Sequence, residues 1–170
     1  MREHTFRSKL NSPIGELLLV SNGEALTSVE LPPYDNGAYS DEEDKVLRKA
    51  KEQLRAYFAG ELLDFDLPRA AAGTEFQQRV WKALCEIPYG VAVSYREIAR
   101  RIGMPTASRA VGAANGRNPI PIIVPCHRVI GADGTLTGYG GGLDRKQWLL
   151  RHETDVLSRK KTAAAALFSS

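Results

Sequence analysis

The chain has 170 residues, 43% of them hydrophobic and 25% charged, enough to bury a core in one or two compact domains. No run approaches the roughly 20 apolar residues that span a bilayer, and the opening MREHTFRSKL lacks the apolar stretch of a secretory signal. A soluble protein with no membrane partner is therefore expected, cytoplasmic in a bacterium or nuclear in a eukaryote. The net charge of +3 hides an asymmetry: residues 1–72 carry 9 basic and 13 acidic side chains, residues 73–170 carry 14 and 7. The basic excess suits a polyanion partner, and on charge alone equally an ordinary solvated face.

In chain order, HTFRSKL, GELLLV and ALTSVEL are separated by the turn signals Asn11-Ser12-Pro13 and Ser21-Asn22-Gly23, which predicts a small antiparallel sheet. A loop over 32–40 follows. Val46, Leu47, Ala50, Leu54, Tyr57 and Phe58 then recur at helical spacing up to Gly60, giving one amphipathic helix to cover the sheet. The pattern dissolves over 62–73. Thr74 with Gln77 forms a capping box for the helix FQQRVWKALCEI, and Ser94 with Glu97 a second box for a short helix ending at Gly103. Thr106 is placed to cap ASRAVGAAN, in which Ala107, Ser108, Ala110 and Gly112 surround one long side chain, Arg109. Helix, tight turn, helix suggests a helix-turn-helix, with a plain packed helical pair as the alternative.

Residues 119–124 read as a β-branched strand between prolines that delivers Pro125-Cys126-His127-Arg128. A glycine-rich loop spans 131–142, and Asp144 can cap a last helix, RKQWLLRHE. The expected fold is mixed α/β of the α+β kind. An N-terminal domain over 1–72 holds the small antiparallel sheet and a helix. A mainly helical domain over 73–157 contains the helix-turn-helix and Cys126, and a tail over 158–170 frays or extends the last helix.

Only a thiolate is a useful sulfur nucleophile, and Cys126 has His127 and Arg128 beside it. Adjacent side chains on an extended segment point to opposite faces, so His127 would have to act through a water or a bend rather than by direct contact. Cys85, on the Val80, Trp81, Leu84 side of its helix, reads as a buried structural cysteine. With His4, His127 and His152 and no CxxC or HxxxH, no metal site or cofactor is expected.

These blocks resemble the methylated-DNA-protein-cysteine methyltransferases, also called O6-alkylguanine-DNA alkyltransferases. The resemblance rests on NPIPIIVPCHRVIG (118–131), FQQRVWKAL (76–84), IPYG (87–90), SYREIA (94–99), SRAVGAAN (108–115), LTGYGGG (136–142) and WLLRHE (148–153), with SPIG (12–15) and AYFAGEL (56–62) as looser matches. It implies single-turnover, irreversible transfer of an alkyl group from guanine O6, with thymine O4 a further candidate, onto Cys126. The implied base is His127, acting through a water and oriented by Glu153, while Asn118 is a hinge. Tyr95 crowds the phosphate and touches the flipped base, and Val129 (by its carbonyl), Tyr139 and Gly140 line the alkylguanine pocket. Arg109 is an arginine finger for base flipping, carried into the minor groove on a helix made slim by Ala107, Ser108, Ala110 and Gly112. Arg117 and Arg128 join the DNA contacts. Gly116 stands where some relatives carry an arginine, which alters phosphate contacts at that edge. The implied partner is double-stranded DNA carrying O6-alkylguanine, bound by a monomer, with cooperative binding on DNA left open. A damage sensor without transfer and a Cys-His hydrolase are the rival readings.

Overall fold

In the computed structural model, which describes residues 4–35 and 41–168, three strands form an antiparallel meander, β1 (Phe6–Ser12), β2 (Gly15–Ser21) and β3 (Leu26–Glu30). The first turn is fixed by Ser12, whose Oγ accepts from Ile14 N, and by Gly15 at φ 118°, a value that needs glycine. In the second, Asn22 Oδ1 accepts from Glu24 N and Ala25 N at 2.9 Å each. The register pairs Leu10 with Leu17 and Leu19 with Val29, so one face of the sheet is apolar and buried. Of the loop expected over 32–40, residues 36–40 lie outside the described residues, as do 1–3 and 169–170 of the expected N-terminal domain and tail.

Helix α1 (Lys45–Phe58) covers that face with Leu47, Ala50, Leu54 and Tyr57, all fully buried. Its cap Asp44 accepts from Leu47 N at 2.8 Å and from Ser21 Oγ at 2.7 Å, which ties the start of the helix to the end of β2. Helix α2 (Glu75–Cys85) starts with the full capping box of Thr74 and Gln77. Next come the short strand β4 (Val93–Ser94), then α3 (Tyr95–Arg101) and α4 (Ser108–Gly116) across a tight turn, the helix-turn-helix. A 3-10 turn (Cys126–Arg128) leads into β5 (Val129–Ile130), which pairs in parallel with β4. The last helix, α5 (Leu143–Phe168), runs through most of the expected tail. Buried side chains from both halves form one continuous apolar cluster, and Val29 N donates to Pro119 O at 2.9 Å across the junction.

Four local expectations are corrected. Thr106 does not cap α4; Ala107 occupies the cap position and offers no side-chain acceptor. At α3 only half of a capping box forms: Ser94 Oγ accepts from Glu97 N, while the Glu97 carboxylate turns to Arg100 and Arg101. Asp144 lies within the first turn of α5 rather than before it. Residues 119–124 are not a strand but a folded loop, because Pro119 and Pro121 have no N–H to give a ladder.

Candidate active site

That loop brings the site together. Asn118 closes it at both ends, with Oδ1 accepting from Ile120 N at 3.0 Å and Nδ2 donating to Val124 O at 2.8 Å. Within it, Val124 N donates to Ile120 O and Ile123 N to Pro121 O. The tight reversal puts Ile122 at φ 74°, a region β-branched residues avoid at a cost of about 1–3 kcal/mol, held in place by burial of its side chain to 1% exposure. Cys126 N then donates to Val124 O at 2.8 Å, and the chain enters the 3-10 turn. Cys126, His127 and Arg128 are therefore not on an extended segment, and the alternation expected for them does not apply.

Cys126 is 4% exposed. Burial pushes its thiol up to about 11, with Asn118 and the charge of Lys146 pulling the other way. His127 is fully buried, which holds its imidazole below the ordinary histidine value against the opposing pull of Glu153. Its Nε2 lies 2.7 Å from Glu153 Oε2, while its Nδ1, equally buried, has no partner among the described residues. With Nε2–H donating a hydrogen bond to the carboxylate, Nδ1 carries the free lone pair and is the atom able to take up a proton.

Glu153 is fully buried and, among the described residues, accepts from five donors. Gly90 N and Arg128 Nε reach Oε1 at 3.0 and 2.8 Å; Tyr57 OH, His127 Nε2 and Arg128 Nη2 reach Oε2 at 2.7, 2.7 and 3.0 Å. Burial alone would raise this carboxyl; His127 and Arg128 outweigh it and hold it far below the usual carboxylate range. Arg128, expected on DNA, is corrected here: it is 5% exposed, its guanidinium spent on Glu153 and on Ile87 O, with its face toward the Tyr89 ring.

A cleft of about 400 Å³ opens beside Cys126 between Val29–Leu31 on one wall and Asn115, Asn118, Tyr139 and Gly140 on the other. The buried Asn115 Oδ1 and Tyr139 OH have no partner among the described residues. Tyr95, half-buried, donates from its OH to Thr137 O at 3.0 Å. The Val129 carbonyl, expected to face a ligand, accepts from Lys146 Nζ, which also donates to Thr137 O at 2.8 Å.

On α4, Arg109 and Ala110 are exposed, Ala107, Ser108 and Gly112 half-buried, and Arg117 just past the helix is exposed. Gly112 faces Tyr95, to whose ring an added Cβ would come within 3.8 Å. Cys85 departs from expectation: it is exposed, with Sγ accepting from Arg69 Nη2 at 3.3 Å, because it ends α2 just beyond the buried Leu84.

Three participants were not singled out from the sequence: Tyr57, Lys146 and Arg145. Arg145 joins the glycine loop to the sheet by donating to Ile14 O, Pro32 O and Gly141 O at 2.7, 2.7 and 2.8 Å. Lys146 had a signal, because Lys146, Leu149, Glu153 and Val156 recur at helical spacing and all four are buried.

Two family models match the chain: 6-O-methylguanine DNA methyltransferase, ribonuclease-like domain, over residues 5–70, and 6-O-methylguanine DNA methyltransferase, DNA binding domain, over residues 75–155. The chain is 52% identical over 157 residues to the methylated-DNA-protein-cysteine methyltransferase of Methanosarcina barkeri, covering 87% of this chain and 96% of that protein. It is 54% identical over 155 residues to that of Mycobacterium tuberculosis, covering 85% and 89%. Among solved structures, Mycobacterium tuberculosis OGT in complex with DNA is similar with a TM-score of 0.83 at 52% identity, covering 89% of this chain and 94% of that one.

Proposed function

Because the chain belongs to the 6-O-methylguanine DNA methyltransferase family, DNA-binding proteins that repair DNA by taking an alkyl group onto a cysteine of their own, we propose that the acceptor here is Cys126, that the substrate is O6-alkylguanine in duplex DNA, and that each molecule acts once. The observation that carries this reading is a buried thiol and a buried imidazole side by side in one 3-10 turn, the imidazole with its Nε2 committed to Glu153 and its Nδ1 without a partner among the described residues.

At rest both groups are neutral: burial keeps the thiol protonated and the imidazole uncharged. The thiol proton passes to His127 Nδ1 through a water, and Glu153 stabilises the imidazolium that results. Sγ attacks the alkyl carbon; the S–C bond forms as the C–O6 bond breaks, and guanine leaves with that electron pair and takes up a proton. The thioether left on Cys126 has no leaving group, so no turnover follows.

A base inside a stacked duplex cannot reach a buried thiol, so the nucleotide must be rotated out at a cost of a few kcal/mol. Arg109 suits the vacated place in the stack: it is exposed in the first turn of α4 beside the exposed Ala110, and nothing else there is long. The flipped base would enter the cleft beside Cys126, where Tyr139 OH and Asn115 Oδ1 offer unspent hydrogen-bonding capacity.

Intact and peptide mass spectrometry after incubation with duplex DNA containing O6-methylguanine tests the reading. One methyl per molecule, located on Cys126, is expected. Protein that binds the duplex and stays unmodified would replace transfer with damage sensing.

A further inference from the structure

The relay just described is assigned to residues of the last 60 positions of the chain, yet one hydrogen bond to it comes from the other half. Tyr57 sits near the end of α1, fully buried, with its ring packed edge-on to Phe58, Tyr89 and His152. Its OH donates to Glu153 Oε2 at 2.7 Å, the same oxygen that holds His127 Nε2 at 2.7 Å. Burial, then the Glu153 charge, keep the phenol far above its ordinary range, so it is a permanent donor and never a competing base.

We propose that Tyr57 is a positioning residue for the transfer, an N-terminal phenol that sets the basicity of His127 by sharing the Glu153 oxygen with it. A hydrogen bond to a charged acceptor lowers the field that the acceptor presents to its other partners. Each donor on Oε2 therefore weakens the pull of the carboxylate on the imidazole proton. With Tyr57 in place, His127 stays neutral and ready to take the thiol proton down to a lower pH; without it the imidazole protonates earlier and loses that capacity. The other charged or titratable groups facing Tyr57, His127 and Glu153 are Arg128 from the 3-10 turn, Tyr89 from the segment after α2, and Lys146 and His152 from α5. None of these lies on α1, and Tyr57→Phe keeps the ring that packs against Tyr89 and His152, so it takes away the donor alone. Of the five donors on the carboxylate, the phenol alone comes from residues 1–72; the other four come from Gly90, His127 and Arg128.

The inference rests on the Cys126–His127–Glu153 reading, and its test separates the two. Single-turnover transfer from duplex O6-methylguanine is followed from pH 5 to 9 in the wild-type protein, Tyr57→Phe, protein carrying 3-fluorotyrosine at position 57, and Leu54→Ala. Leu54 is an equally buried residue on α1 whose apolar side chain offers Glu153 no hydrogen bond, so its truncation loosens the helix and leaves the donor set intact. Tyr57→Phe is expected to move the acid limb of the rate profile up by about one pH unit, and fluorotyrosine, a stronger donor, to move it down. Leu54→Ala is expected to lower the melting temperature and leave the limb in place. A limb that stays put in both Tyr57 variants, or that moves equally in Leu54→Ala, overturns the assignment to Tyr57. Failure of the wild-type protein to become methylated on Cys126 overturns instead the reading on which it rests.

Discussion

A buried carboxylate is tolerable only when its lone pairs are filled, and Glu153 shows what filling them does. Two of its donors, His127 and Arg128, carry or can acquire positive charge, and both are buried with it. Glu153→Gln would keep the shape and remove the charge, leaving the Arg128 guanidinium buried against a neutral amide. By the cost of breaking a buried pair, unfolding in urea should show a loss of about 3–5 kcal/mol. Transfer should slow by at least about a hundredfold, the usual contribution of a positioned base, since the imidazolium would lose its stabilising partner. Full stability with slow transfer would mean that Arg128 finds another acceptor. Cys126, His127 and Glu153 were singled out in the sequence through the family resemblance, and the structure joins the last two at 2.7 Å. Arg128 was misread, because the chain neighbourhood of an arginine says nothing about which way it folds.

At the scale of elements, the cap of α1, Asp44, was found only in the structure, while the strands and the helices α1 and α2 follow from turn signals, apolar spacing and the Thr74–Gln77 box. The loop over 119–124 does not. Its composition is that of a strand, and only the side chain of Asn118, bonded at both ends of the loop, marks it as a turn. Tyr57 likewise read as one more apolar position on α1; its partner lies 96 residues away, and no local pattern encodes that. Helix α4 carries its own prediction. Arg109→Ala should reduce repair of a duplex about tenfold or more and leave transfer from the free base O6-methylguanine unchanged, because the free base has no stack to leave. Quantifying methylated Cys126 with both substrates checks this, and equal losses on the two would remove Arg109 from the flipping step.

Across the whole molecule the two halves divide the work unevenly. Residues 1–72 are acidic on balance and residues 73–170 basic, so a polyanion is drawn to the half that holds α3 and α4. The acidic half still reaches the chemistry, through Tyr57 on Glu153, through Val29–Leu31 along the cleft, and through the hold of Arg145 on Ile14 and Pro32. One apolar cluster joins both, which was not readable from two separately patterned stretches.

Every residue from Pro121 to Val129 is buried, although most of that stretch belongs to no strand or helix. The amides of Ile120, Ile123, Val124, Cys126 and Arg128 are each donated to a partner inside the same loop. In native-state hydrogen exchange these amides should therefore resist deuterium as long as those of β2, opening only with the global unfolding of the protein. A segment that leaves almost no signature in a circular dichroism spectrum would then be among the last to take up label. Exchange within seconds would mean the reverse, an acceptor loop that breathes on its own and exposes its sulfur to solvent while the rest of the molecule stays closed.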